Sequence, residues 1–311
     1  MDAVKERYIM QMRWMLYAFL SSSVICLAHA EEQPAKQGRV NMGLYTKSIT
    51  EQASISDIEI SMNFWVKDAL AFEAQKAGID IQSTGAFLYE TMQDMRADFS
   101  RGKLDIIVAP PLLISRYFKR EEITDGFSGM LEGGKSDSLL LIVRADSHIH
   151  SIQDLRGKRI TMLEGDELAE MFMDTLFLRS FKKGYKKVVA SVQQQVKANR
   201  IVLDLYFNKA DAGLAYVNSF QVMSELNPDI KNKVKILDTF EVRSKNYSYL
   251  RKGYPLANEM RQIALSFYKS ARGKQILDIY KTPELHFLKV EELDTVDQLI
   301  KEHAQLVSGI K

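Results

Sequence analysis

The sequence predicts an α/β protein of two lobes, with two parallel-type sheets flanked by helices and joined by a two-strand hinge. Three observations carry this. From Arg39 onward short apolar runs alternate with helical stripes, the pattern of strands and helices around a largely parallel sheet. A motif ahead of one strand, Arg101-Gly102-Lys103-Leu104-Asp105, recurs in form as Asn208-Lys209-Ala210-Asp211, each after an amphipathic stretch. That spacing, about 106 residues, is too long for a solenoid repeat and fits two lobes of similar topology. Two further strand-like segments, at about 138–144 and 235–240, are placed to cross between the halves.

In order along the chain, Val40–Tyr45 reads as the first strand and Phe64–Ala77 as a helix ended by Gly78. Ile79–Ser83 is a strand, Leu88–Phe99 a helix, and Leu104–Ala109 a buried strand that Pro110-Pro111 closes. Leu112–Lys119 is a short helix, and Phe127–Leu131 leads into a crossover. The turn-rich Glu132–Ser136 opens the second unit. There, Ser138–Arg144, Arg159–Leu163, Lys187–Ala190 and Ala212–Tyr216 read as strands, with helices over Leu168–Phe181 and Val196–Phe207. Lys235–Phe240 returns the chain to a mostly helical remainder: Leu256–Ser270, Ala271–Tyr280 and Val296–Val307. The first lobe is therefore expected over 39–134 and 240–311, the second over 135–239.

The N-terminus reads as a cleaved secretory signal over residues 1–30. Lys5, Arg7 and Arg13 precede the apolar Met15–Ala28, and Ala28-His29-Ala30 offers small residues where a signal peptidase reads. The apolar stretch falls short of the roughly 20 residues a span needs. Residues 31–38 read as a tether, and the destination as the periplasm. Cys26, inside the leader, is the only cysteine. The mature chain thus has no thiolate nucleophile, no disulfide and no cysteine-ligated metal.

Forty-two basic against 40 acidic residues in 311 give a formal charge of +2, and without the leader 39 against 38 remain. No global field argues for nucleic acid as a partner. The basic run Lys182–Lys187 reads as a solvated loop, and Met92, Met95, Met171 and Met173 as core filling within helices. The chain lacks the G-x-S-x-G and G-x-G-x-x-G patterns, so neither pattern points to a hydrolase or a dinucleotide enzyme. His148 and His150 flank Ile149 in a turn and His286 and His303 stand apart, which is no metal-ligand spacing. No cofactor is expected.

Asp137–Leu163 carries a recognisable order: an apolar strand, a turn, then Ile152-Gln153-Asp154-Leu155-Arg156-Gly157-Lys158-Arg159-Ile160. This resembles the start of the second lobe in periplasmic solute-binding proteins, which implies a two-lobed (type II-like) binding-protein fold. The succession from Val40 to Tyr216, with Phe87, Gly102–Ile107 and the Pro-containing turn, most resembles the phosphate/phosphite/phosphonate-binding (PhnD-like) branch of ABC importers. The resemblance implies a non-enzymatic protein, expected as a monomer, that closes over a small-molecule ligand. Its expected partner is an ABC permease or a membrane sensor; an enzyme on the same scaffold is the alternative of another class.

Carried onto this chain, the cleft is expected to be lined by Tyr45, Thr46, Phe87, Pro110, Pro111, Glu164, Asp166, Glu167, Tyr216 and Asn218. Where the branch presents hydroxyls and N–H groups to an oxyanion, this chain reads Leu163-Glu164-Gly165-Asp166-Glu167. A helix N-terminus attracts anions through free N–H groups and its dipole. Asp166 as a cap and Glu167 in the first turn are expected to occupy those donors and repel a dianion. Aromatic faces beside carboxylates suit an organic cation or a neutral polar ring.

Overall fold

A computed structural model describes residues 36–48, 55–131, 135–279 and 282–310. The expected signal sequence, residues 1–30, and residues 31–35 of the expected tether lie outside the described residues. Lys36, Gln37 and Gly38, read as the end of the tether, instead begin the first strand.

Two mixed sheets organise the chain. The first has the order β11-β4-β10-β3-β1-β2, with β1 Lys36–Tyr45, β2 Ile79–Tyr89, β3 Ile106–Ala109, β4 Ile123–Gly129, β10 Tyr247–Arg251 and β11 Leu285–Leu288. The second has the order β7-β6-β8-β5-β9, with β5 Leu139–Arg144, β6 Arg159–Leu163, β7 Ser191–Gln195, β8 Ala212–Tyr216 and β9 Val234–Phe240. Each sheet has a parallel trio, β2-β1-β3 and β7-β6-β8. Each trio is then joined by the antiparallel strand that has just arrived from the other sheet, β10 or β5. Two lobes of one plan result, each a largely parallel core as expected, completed by antiparallel strands.

The recurring motif makes this likeness atomic. Gly102 and Asn208 both adopt left-handed backbone, at φ 76° and 57°, to end a helix. Lys103 N–H donates to the Asp98 carbonyl and Lys209 N–H to that of Asp204. The next acid anchors the first strand of its trio. Asp105 accepts Arg39 Nε at 3.2 Å and Asn41 N–H at 3.0 Å; Asp211 accepts Arg159 Nε at 3.1 Å and Arg159 N–H at 2.9 Å. Charge-assisted pairs of this kind fix strand register at the edge of a core.

Apolar burial follows the alternation of elements. One face of the first sheet packs Met42, Leu44, Val108 and Leu250 against Met62, Val66, Leu70 and Met260, and the other packs Ile107 and Tyr249 against Met95, Phe99 and Ile114. The second sheet is covered by Glu167–Phe181 on one face and by Ala198–Tyr206 on the other. Met92, Met95, Met171 and Met173 are buried, as core filling requires.

Several elements differ from expectation. A helix begins at Ile55, ahead of Phe64, and passes through a π-helical stretch, Phe64–Leu70, into Ala71–Lys76. The strand β2 runs on to Tyr89, so Phe87 is a strand residue and the helix starts only at Met92, capped by Thr91. Phe127 lies within β4 and not in a crossover. Lys187–Ala190 is no strand; β7 begins at Ser191. Tyr185, in the basic run read as solvated, is buried against Phe177. The strands β10 and β11 lie in the remainder read as mostly helical.

Candidate functional site

Ligands of open α/β sheets sit beyond the carboxyl ends of the strands. Here the ends of β1 and β3 in the first lobe face those of β6 and β8 in the second across a cleft holding about 410 Å³ of empty space, its open mouth included. The first lobe supplies Tyr45, Lys47, Pro110, Leu112 and Leu113; the second supplies Leu163–Leu168 and Tyr216; Lys245 comes from the connection between β9 and β10.

Local chemistry explains these positions. Pro110 ends β3 and Pro111 opens the next helix, where a missing N–H costs nothing. After β6, Gly165 takes φ 72° and turns the chain so that Asp166 caps the Glu167–Phe181 helix. Asp166 Oδ1 accepts the Ala169 N–H at 3.1 Å. Its Oδ2 is buried without a hydrogen-bond partner, and Tyr216 lies near enough to the carboxyl to act on it. Burial raises the Asp166 carboxyl above the usual carboxylate range. Burial first, then the Asp166 and Asp137 carboxylates, holds the Tyr216 hydroxyl far from ionising.

The two connections between the lobes contribute charge as well. Asp137 precedes β5; its Oδ1 accepts the Asn218 N–H at 2.8 Å, and burial pushes its carboxyl up to about 6. Burial brings the Lys245 ammonium down to about 8, and that group stands 6.0 Å from the centre of the Tyr216 ring. The connections also bond to each other: Asp137 N–H donates to the Arg243 carbonyl and Ser138 Oγ to Glu241, both within 2.8 Å. Across the cleft mouth, Arg116 of the first lobe pairs with Glu167 of the second.

Of the ten residues expected in the cleft, the structure gathers Tyr45, Pro110, Glu164, Asp166, Glu167 and Tyr216 around it. The other four line none of it. Thr46 is buried and donates to the Tyr89 carbonyl; Phe87 lies on β2 beneath the Lys103 ammonium, 4.1 Å from the ring centre; Pro111 is buried; and Asn218 offers its backbone to Asp137. Lys47 and Lys245 are cleft residues that sequence reasoning missed. Lys47, two residues beyond the end of β1, was legible from that strand; Lys245, in a connection of no regular pattern, was not.

Among the described residues no three His, Cys, Asp or Glu side chains gather as for a metal ion, and no helix is long and apolar enough to cross a membrane.

A cleft between two α/β lobes of like plan, with a double connection at its base, defines a two-lobed binding protein. The chain belongs to the family of phosphonate periplasmic substrate-binding proteins of ABC transporters, whose model matches residues 75–287. No curated protein matches the sequence. Among solved structures, the chain is similar to a binding protein component of an ABC phosphonate transporter from Pseudomonas aeruginosa, with 13% identity, 89% of each chain covered and a TM-score of 0.57. It is similar to a Xanthomonas citri protein bound to ATP, with 15% identity, 88% of this chain and 99% of that one covered, and a TM-score of 0.61. It is also similar to PhnD1 from Prochlorococcus marinus in complex with methylphosphonate, with 11% identity, 87% and 99% covered, and a TM-score of 0.57. At these identities the likeness speaks for the fold. The family is one of substrate-binding proteins, and the Pseudomonas aeruginosa neighbour is a binding protein component of a transporter.

Proposed function

We propose that this chain is exported to the periplasm and captures an amino-bearing organic solute in the interlobe cleft for delivery to an ABC permease, and that simple phosphonates are poor ligands. The observation that carries the reading is Asp166. Its carboxylate occupies the N–H group that a helix N-terminus would otherwise present to an oxyanion, and Glu164 and Glu167 flank it. At an effective dielectric of 20, a charge about 4 Å away changes binding by roughly 4 kcal/mol, enough to reverse a preference between anion and cation. Lys47 and Lys245 bring the cleft near charge balance, which favours a zwitterion or a monocation over a dication. Tyr45, Tyr216, Leu112 and Leu113 offer the apolar surface for the rest of such a molecule.

A thermal-shift screen of amines and zwitterions against phosphate, phosphite and alkylphosphonates tests this. A ligand at a hundred times its Kd stabilises by about 2.7 kcal/mol. A shift with amino-bearing compounds is expected. A shift confined to phosphonates refutes the reading.

A further inference from the structure

Besides their two connections and the Arg116–Glu167 pair, the lobes share a further link, the C-terminal helix Asp294–Ser308. Its first turn is held by the first lobe. Arg120, on the turn before β4, donates to Asp297 Oδ2 from Nε at 3.2 Å and from Nη2 at 2.6 Å, and to Asp294 Oδ1 at 3.1 Å. Leu293, just ahead of the helix, is buried in the first lobe beside Tyr247 and Tyr249.

Its later turns are held by the second lobe. Val296 and Leu299 are buried in the second-lobe core with Leu168, Phe172 and Leu176. Arg179 grips both carboxylate oxygens of Glu302 at 2.8 Å each, and His303 Nε2 lies 2.9 Å from Asp174 Oδ2. One rigid helix is thus fastened to both lobes at bonds that lie along its length.

We infer that the Asp294–Ser308 helix is a strap that holds the lobes together and sets how often the cleft opens. A hinge motion about the two connections separates Glu167–Phe181 from the first lobe, so either the Arg120 end or the Arg179 end of the strap must let go. Bonds made only while the lobes are together shift the population toward that arrangement by their own strength.

Spin-label distances test the strap directly, because Cys26 is the only cysteine of the chain. In the full chain carrying Cys26→Ser, the labels go on Glu90→Cys and Lys197→Cys, exposed positions just past β2 and β7 in opposite lobes. Arg179→Ala with His303→Ala should raise the ratio of long to short distances about fivefold, the strength of one or two exposed pairs. Arg179→Glu should do the same, and adding Glu302→Arg should restore the parent distribution. An unchanged distribution both in these variants and in Arg120→Ala, which frees the other end of the helix, overturns the inference, whatever happens to the melting temperature. A widening that the exchanged pair does not reverse overturns the assignment to these contacts.

Discussion

Asp137→Asn should make the protein more stable at pH 8 and leave it unchanged near pH 3. The carboxyl of Asp137 sits where the chain enters β5, and burial raises it from 3.8 to about 6. The folded state therefore holds this proton more tightly than the unfolded chain does. Between 3.8 and about 6 the unfolded chain releases it first, so stability falls as pH rises through that window and stays lowered above it. At 1.36 kcal/mol per pH unit the loss is about 3 kcal/mol. Asparagine keeps an acceptor oxygen for the Asn218 N–H and carries no charge to desolvate. Its amide donors enter the same buried site, so the expected gain at pH 8 is about 1–2 kcal/mol. Urea unfolding of both proteins at pH 3 and pH 8 measures it. An equal difference at the two pH values, or a less stable variant at pH 8, refutes the account of Asp137 as a buried and costly charge.

Three other outcomes follow from the same contacts. Asp166→Ser removes a carboxylate from the helix N-terminus and should create a calorimetric signal with methylphosphonate that the parent lacks; no signal in either protein argues that the neighbouring Glu164 and Glu167 dominate the cleft. Asp211→Ala strips the Arg159 guanidinium and N–H of their acceptor and should cost about 2 kcal/mol in urea unfolding. Gly126→Ala would place a Cβ 1.8 Å from the Ser248 carbonyl oxygen, so β4 and β10 cannot keep their pairing; a loss of roughly 3 kcal/mol or more, or failure to fold, is expected.

The two-lobed plan was legible because periodicity and one recurring turn are local signals. Gly102–Asp105 and Asn208–Asp211 end helices and start strands through contacts made within a few residues, and both behave as read. The strand β10 was not legible, since Tyr247-Ser248-Tyr249-Leu250-Arg251 is a short run amid helical patterns and its partners lie over a hundred residues away. The same holds at the cleft. Glu164, Asp166 and Glu167 follow a strand that patterning locates, so their arrival there could be anticipated. Lys245 reaches the cleft only because a connection folds back between lobes, and Phe87 leaves it because β2 extends six residues beyond its expected end at Ser83.

The place of β10 has a kinetic consequence. All five strands of the second sheet come from one continuous stretch, 139–240, whereas β10 must insert between β3 and β4, strands made more than a hundred residues earlier. The second sheet can close from near neighbours alone. The first cannot complete its middle until the chain beyond residue 246 has arrived, and such long loops slow folding. A nascent chain stopped before Tyr247 would thus carry one finished sheet and one split between β3 and β4. That split leaves backbone edges open to wrong partners until the last fifth of the chain closes it.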